Sequence, residues 1–456
     1  MHPRFRFLRH IVSLLGVLLV TTSAVAFVVV FLAELLGLHT NPYLGIVFFL
    51  VLPVLFLFGL ALIPLGSWIA RRVQRKGRAP ATLHWPRLDL NDPIQRHRAF
   101  MFLLLTLANV IIVSLATYRG VEFMDSVQFC GQVCHSVMKP EFTAYQDGPH
   151  SRVTCVQCHI GAGASWFAKS KVSGTRQVLA VTISTYSRPI PSPVQTLRPA
   201  RDTCEQCHWP EKFHGDTIVR VYEYGEDEKN AESMTTLQVH VGGGSERLGL
   251  AQGIHWHMNV ANEVEYIATD EKRQVIPWVR VKDRFGNVRE YTAEGTRPED
   301  LAKSERRRMD CMDCHNRPSH PMAATPERAV NQLMARGDIP RTLPFVRREA
   351  VKALKASYPT QEAATEGISR ALRDFYRSQY PGDYMSRRQD VEKAVNAASE
   401  IYRRNVFPEM NIGFGTYANN IGHMDFPGCF RCHDDNHKSK EGKAIGQDCE
   451  TCHSIT

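Results

Sequence analysis

The sequence predicts a chain anchored by three N-terminal transmembrane helices. A mainly helical and irregular region follows, packed around bound groups and interrupted by a small β-rich insertion. Three observations predict it. Residues 11–33, 43–70 and 99–118 are uncharged and mostly apolar, and each reaches the roughly 20 residues a helix needs to cross a hydrocarbon core. Six Cys–His clusters lie beyond the third apolar run. Between the third and fourth clusters, β-branched and aromatic segments replace the helical pattern.

The first apolar run carries "AVA" at 24–26, which resembles a signal-peptide cleavage site. "FVVVFLAELL" continues the run beyond it, and the expectation is a retained helix. Pro53 and Pro64 predict kinks in the second helix, or a break near its end. Arg4, Arg6 and Arg9 precede the first run, and Arg71, Arg72, Arg75, Lys76, Arg78, Arg87, Arg96 and Arg98 follow the second, whereas 34–42 holds no Lys or Arg. The positive-inside rule places the N-terminus and 71–98 in the cytoplasm and residue 119 onward on the far side. Eleven Lys and Arg in residues 1–98 stand against Glu34, Asp89 and Asp92, which accounts for eight of the nine net positive charges. The basic balance is therefore a topology signal, not a nucleic-acid footprint.

Ten of the 12 cysteines form pairs with two-residue spacing: Cys155/Cys158, Cys204/Cys207, Cys311/Cys314, Cys429/Cys432 and Cys449/Cys452. A histidine follows each pair directly: His159, His208, His315, His433 and His453. C-x-x-C-H supplies two thiols for thioether links to haem vinyls and one imidazole as axial iron ligand. Zinc uses C-x-x-C pairs but needs no histidine immediately after the second cysteine. A disulfide framework fits poorly, because a two-residue loop is a weak staple and no cysteine lies outside a pair. "CGQVCH" adds Cys130, Cys134 and His135 with one extra residue. The chain thus reads as a multihaem cytochrome c with six covalently bound haem c groups. The longer spacing displaces His135 and makes its ligation the least regular.

The expected domains are a membrane anchor (1–118), a domain with haems 1–3 (119–208), a β-rich insertion (209–300) and a helical domain with haems 4–6 (301–456). Helices are expected near 137–147 and 164–185, and "SRPIPSPVQTLRPARD" at 187–202 reads as an extended connector. "TIVRVYEY", "TTLQVHVGG", "EVEYIATD", "QVIPWVRVKD" and "NVREYTAE" read as strands of one small sheet. Helical spacing returns at 325–407, where Met334 and Phe375 belong to a core.

A fast electron carrier keeps both axial positions of its iron filled, whereas an enzyme leaves one open. Candidate second ligands are His150, His240, His320 and His423, with one of His255 and His257, which share a face if "GIHWHMN" is a strand; His257 is the residue taken. His214 and His437 lie so near motif histidines that each serves another haem or a surface or hydrogen-bonding role. Met138 is the candidate ligand of the first haem, against ordinary packing on the porphyrin.

"FCGQVCHSVMKPEFTAY", then "GPHSRVTCVQCHIG" and a Lys-containing amphipathic segment, resemble the NapC/NirT/NrfH family over about 119–180. The later motifs resemble longer members, including inner-membrane cytochromes of metal-reducing bacteria. Small members have one membrane helix and four haems. The resemblance implies a multi-pass protein of the bacterial cytoplasmic membrane, with haem domains on the periplasmic side. It implies a quinol dehydrogenase that takes electrons from the membrane quinol pool and passes them to periplasmic redox proteins. In that family quinol docks beside the first haem, near a lysine and an acidic residue. Lys171 fits the lysine, with Lys169 as its fallback. Gln177 stands where the carboxylate is expected, and Asp125 or Glu122 would substitute. Lys169 and Lys171 as lipid headgroup contacts is the plainer alternative. Two other functions stay open: a terminal reductase of a small oxyanion such as nitrite, and a non-catalytic electron-transfer subunit of a larger respiratory complex. Homo- and hetero-oligomers are both compatible.

Overall fold

The computed structural model describes residues 11–35, 51–75, 89–161, 163–194, 197–209, 213, 215–242, 253–258, 262–283 and 285–455. Arg4, Arg6, Arg9, His214 and much of the basic stretch after residue 75 lie outside the described residues. The chain divides into two compact units at residues 135 and 136.

Among its described residues, the first unit holds three helices long and apolar enough to cross a membrane. They are α1 (Ile11–Leu35), α2 (Leu52–Arg75) and α3 (Pro93–Met124). Pro64 lies inside α2, and the helix runs on to Arg75, so the break expected near its end is absent. Helices α1 and α2 pack through small residues. A Cβ on Gly16 would stand 2.7 Å from the Gly59 carbonyl oxygen. Ser13 Oγ donates to the Ile63 carbonyl at 3.1 Å. Close backbone approach at small residues is how helices associate where lipid removes the hydrophobic driving force. Helix α3 begins on Pro93, with the Asp92 carboxylate accepting the Ile94 N–H at 2.9 Å, an N-cap followed by the proline that helix starts favour.

The second unit opens with α4 (His135–Gln146), whose first residue closes the first unit, then α5 (Cys155–His159), α6 (Ala164–Thr182) and α7 (Ala200–Cys204). Strands β1 (Asp216–Tyr224) and β2 (Glu232–His240) form an antiparallel hairpin with Asp216 opposite His240. The turn between them holds Asn230 at φ 50. Its buried amide donates to the Arg341 and Leu343 carbonyls at 3.0 and 2.8 Å. The hairpin is thereby pinned to the helical region.

Strands β3 (Glu263–Ile267), β4 (Trp278–Lys282) and β5 (Val288–Ala293) start a second sheet. Helix α8 (Pro298–Lys303), strand β6 (Arg306–Arg308) and α9 (Cys311–Cys314) follow. Two short strands near the end of the chain, β7 (His437–Lys438) and β8 (His453–Ile455), complete the sheets. The strand orders are β1-β2-β8 and β6-β3-β4-β5-β7. The single sheet expected from the sequence is therefore two. A strand edge offers unpaired N–H and C=O groups that must find partners, and here the partners come from the segments after the fifth and sixth motifs. Strands of two or three residues carry too little alternation to be read from sequence.

Helices α10 (Pro326–Arg336), α11 (Val346–Lys355), α12 (Gln361–Gln379), α13 (Pro381–Ser386) and α14 (Arg388–Asn405) surround a conventional core. Thr325 and Thr360 cap α10 and α12 through their hydroxyls, each 3.1 Å from a backbone N–H. Gly337 ends α10 in the left-handed conformation. Val330, Leu343, Ile368, Leu372 and Val391 are fully buried there, and Met334 is 2% exposed. Phe375 packs against the same core partly buried.

This core is made of protein side chains alone. Leu372→Ala is expected to cost about 2–5 kcal/mol by cavity formation, read as a lower urea midpoint by circular dichroism. The haem-to-protein ratio of the folded variant stays that of the parent.

Candidate haem sites

Each two-residue Cys pair lies on a tight helical turn. Cys155–His159 and Cys311–Cys314 are α-helical, and 3-10 turns carry Cys429 and Cys449. The third pair opens at the last residue of α7, and the His208 N–H donates to the Cys204 carbonyl at 2.8 Å. His315 and His433 make the same bond to Cys311 and Cys429, at 2.8 and 3.1 Å. One turn thus brings two thiols to one side, as i and i+3 neighbours on a helix face require. The residue before the first cysteine fixes the start of several turns. The Asp310 carboxylate accepts the Met312 N–H at 2.8 Å, and Asp448 accepts the Glu450 N–H at 3.1 Å. Thr154 and Gln157 form a reciprocal capping box.

The stretched pair is different. Phe129–Val133 is a π-helix, with Cys130 inside it and Cys134 just after it. A π turn holds more residues than an α turn. The extra residue between the cysteines is absorbed by a wider turn, and the pair stays on one short helical segment.

Among the described residues, five histidine pairs face each other at nearly constant separation. Ring centres lie 6.3 Å apart for His159 and His320, 6.1 Å for His208 and His150, and 6.2 Å for His315 and His255. The distances are 5.9 Å for His433 and His257, and 6.2 Å for His453 and His423. Each pair joins a motif histidine to one from another stretch of chain. An imidazole nitrogen lies about 2 Å from a bound metal and about 1 Å from its own ring centre. Two imidazoles on opposite sides of one metal therefore place their centres about 6 Å apart. The interplanar angles run from 5° to 84°, so stacking does not set the spacing.

Hydrogen bonds select the ring nitrogen that faces the gap. Nδ1 of His150, His255, His257, His320 and His433 lies 2.9–3.1 Å from the carbonyls of Pro318, Val241, Ile254, Glu141 and Gly446. A carbonyl only accepts, so Nδ1 carries the proton and Nε2 keeps its lone pair, the arrangement metal-bound histidines adopt. Burial pushes the His159, His255, His257 and His315 imidazoles below the ordinary histidine range, which keeps them neutral.

The surroundings also suit a large bound group. A cavity of about 2590 Å³ runs past the thiols of motifs three to six and past Cys158, well above the roughly 300–1,000 Å³ of ordinary ligand pockets. Arg198 is largely buried, with Nη2 3.7 Å from Asp202 Oδ2, and its Nε and Nη1 have no partner among the described residues. Buried donors left over after that ion pair suit a further anion, and haem propionates are anions. Burial pushes the Cys314 and Cys432 thiols up to about 12, away from the thiolate that redox chemistry of a free thiol requires. Among the described residues, no three of His, Cys, Asp and Glu converge on a metal-sized cage. The residues present fit porphyrins held by thioether and imidazole.

The other sequence candidates sit as follows. His240 ends β2, and its Nδ1 lies 3.0 Å from Asp216 Oδ1; no motif ring is found facing it among the described residues. His255 and His257 lie on a 3-10 turn (Ile254–Met258), not on a strand. They do not share a face, and each meets its own motif histidine. His255, the member of the pair the sequence reading passed over, faces His315, and the His-x-His spacing was the available signal. His437 is 2% exposed and spends both nitrogens, 2.8 Å from Asp434 Oδ1 and 2.6 Å from the Ile276 carbonyl. Met138 lies half-buried on α4. On α6, the Lys169 and Lys171 ammonium groups lie over the Trp166 and Phe167 rings at 4.6 and 4.8 Å, and Gln177 donates to Ser173 Oγ at 3.1 Å. In the first unit Glu122 pairs with Arg119 at 2.8 Å, and Asp125 caps the end of α3.

Residues 93–189 match the NapC/NirT cytochrome c family, N-terminal region. Over 448 residues the chain is 42% identical to the cytochrome c-type protein ImcH of Geobacter sulfurreducens, covering 97% of this chain and 87% of that protein. No solved structure matches the chain.

His320→Ala and His240→Ala separate the two settings. The first is expected to convert one low-spin haem to high spin in the electron paramagnetic resonance spectrum. The second is expected to leave every low-spin signal in place.

Proposed function

The chain belongs to the NapC/NirT cytochrome c family, and from that premise we propose that it is a membrane-bound hexahaem quinol dehydrogenase feeding periplasmic acceptors in anaerobic respiration. Family membership implies covalently bound haem c. Six groups are assigned to the six Cys–His motifs. Axial pairs are His159 with His320, His208 with His150, His315 with His255, His433 with His257, and His453 with His423. Cys130, Cys134 and His135, with Met138, are assigned to the first haem.

The observation that carries the electron-transfer reading is the five imidazole pairs at one spacing. A bound haem supplies one-electron storage, with little change of geometry when both axial positions are filled. The protein's part is to hold ten imidazoles by backbone hydrogen bonds and tight turns, and to keep water from the gaps. Five sites ligated on both sides leave no iron position there for an oxyanion, which favours a carrier over a terminal reductase.

Quinol oxidation rests on the family and on α6. Phe167, Val172, Val178, Leu179 and Ile183 on or just beyond this helix are exposed, and Lys169 and Arg176 are exposed beside them. A helix with an apolar outer flank and basic neighbours suits a membrane interface, where quinol arrives. One quinol gives up two electrons and two protons and becomes quinone, so two one-electron carriers are filled per turnover. Lys171 is assigned to hydrogen-bond a quinol oxygen, with Lys169 as its alternate. Proton release needs a base; Asp125 or Glu122 takes that part, since Gln177 has no basic site. Three helices of membrane-spanning length support a membrane anchor, and the positive-inside rule supports the cytoplasmic membrane with the motifs on its periplasmic side.

Mixing the oxidised protein in lipid nanodiscs with a reduced menaquinol analogue tests the proposal. Rapid reduction of the haem bands is expected, and the mass of the chain should exceed the sequence mass by six haems. No reduction, or high-spin haem that binds cyanide at most sites, would turn the reading toward the reductase. Lys171→Ala should slow quinol-driven reduction by about 10- to 100-fold, the worth of one hydrogen bond to a charged group. Reduction by dithionite should not change.

A further inference from the structure

We propose that the turn Ile254–Met258 is a two-faced ligand bridge. His255 serves the Cys311/Cys314/His315 site and His257 the Cys429/Cys432/His433 site. The two sites become one rigid unit, and this unit is the junction between the earlier and the later sites. The proposal rests on the reading of the motifs as haem sites.

The backbone explains why neighbouring histidines part company. In a strand, residues two apart share a face. A 3-10 helix has about three residues per turn, so residues two apart point to different sides. His255 meets His315 at 6.2 Å with nearly parallel rings, and His257 meets His433 at 5.9 Å with rings close to perpendicular. Each ring has its own orienting bond, from Nδ1 to the Val241 carbonyl for His255 and to the Ile254 carbonyl for His257, both 3.0 Å. Both rings therefore offer Nε2 at once.

The turn is held from both ends. Gly253 precedes it with φ +87, where a Cβ would collide with the His240 carbonyl. The His255 N–H donates to the Val241 carbonyl at 3.1 Å, just past the end of β2. On the other side, Trp256 packs against the core of the second sheet, and Asn262 donates to the Trp256 carbonyl at 3.1 Å.

The two motif turns are also locked to each other. Buried Arg431, between Cys429 and Cys432, donates through Nη2 to the Asp313 carbonyl at 2.7 Å, between Cys311 and Cys314. Asn420 donates to the same carbonyl at 3.0 Å.

The remaining ligand pairs stay on one side or the other of this junction. His150 lies five residues before Cys155 and faces His208; His320 lies five residues after His315 and faces His159. These ties hold the second, third and fourth sites together. Helix α7 adds to them, since the Ala200 N–H donates to Asp310 Oδ2 at 3.4 Å. His423 lies six residues before Cys429 and faces His453, which ties the fifth site to the sixth. Among the described facing pairs, those of this one turn are the ones that span from the fourth site to the fifth. An electron bound for the sixth site would then pass from the group held by His255 to the group held by His257. Groups bound at the two sites would feel each other's charge, so filling either site is expected to change the potential of the other.

The experiment uses the full chain, haem-loaded, in lipid nanodiscs. His255→Met and His257→Met are each followed by electron paramagnetic resonance and by redox titration. Each variant should lose one bis-histidine signal and gain one His–Met haem, with its potential raised. The signals lost should differ between the variants, and the partner site's midpoint should shift in both. An unchanged spectrum in either variant, or loss of the same signal in both, overturns the bridge. His257→Ala with added imidazole, which should regain the low-spin signal, guards against misfolding. For the junction, Cys429→Ala/Cys432→Ala is mixed with the menaquinol analogue. The sixth site should stay oxidised while dithionite still reduces it; its reduction at the parent rate overturns the junction. Failure of the parent itself to accept electrons from quinol would sink the proposed function and leave the bridge to be decided by the ligand variants.

Discussion

The spacing of facing imidazoles is the constraint on which the second unit depends. Each pair needs two rings about 6 Å apart with lone pairs aimed at one point, and in every pair one ring comes from outside the motif. His320 returns from beyond the fourth motif to the second, and His257 reaches forward to the fifth. These ties explain the irregular backbone of the motif regions. Short turns held by caps and carbonyl contacts place the rings more directly than long helices would. Closing long loops costs entropy that grows only slowly with length, so distant segments supply ligands without a prohibitive penalty.

The unit has two kinds of interior. Between α10 and α14, Val330, Leu343, Ile368, Leu372 and Val391 fill the space with aliphatic side chains and no cofactor chemistry. Around the motifs, the cavity of about 2590 Å³ is lined by thiols, imidazoles and sheet residues, room that the haem c implied by the family would fill. The β1–β2 hairpin joins the two regions, with Tyr224 buried in the helical core and Tyr222 packed against it, and polar pins add to this contact and hold the motif region itself. Asn230 ties the hairpin to the loop before α11. Tyr266, fully buried, donates to Asp313 inside the fourth motif at 2.5 Å. Such pins satisfy every buried donor they use, which a sparsely packed interior requires.

Histidines that look alike along the chain differ by their second nitrogen. His150, His255, His257 and His320 give Nδ1 to a backbone carbonyl, which leaves the Nε2 lone pair available to a metal. His437 gives both nitrogens to the protein and is structural. His240 binds a carboxylate at the end of a strand. No spacing rule separates these cases: the deciding carbonyl lies three residues away for His257 but far away in sequence for His150 and His320. Pro318, for instance, orients His150.

The sequence by itself determined everything local and covalent. The proposed thioether chemistry demands two thiols and an imidazole within five or six consecutive residues, so the candidates from Cys130 to His453 stand out in the sequence. The apolar runs declared the three helices through length and composition, and the helical spacing of 325–407 declared α10, α11, α12 and α14 but not the short α13. Only the tertiary structure decided what depends on partners across the chain: the π turn that absorbs the extra residue before Cys134, the two sheets finished by β7 and β8, and the separate assignments of His255 and His257. The physical reason is the same in each case. A covalent motif carries its own geometry, whereas an axial ligand, a strand edge or a ring tautomer is fixed by whatever the fold brings to within about 3 Å of it.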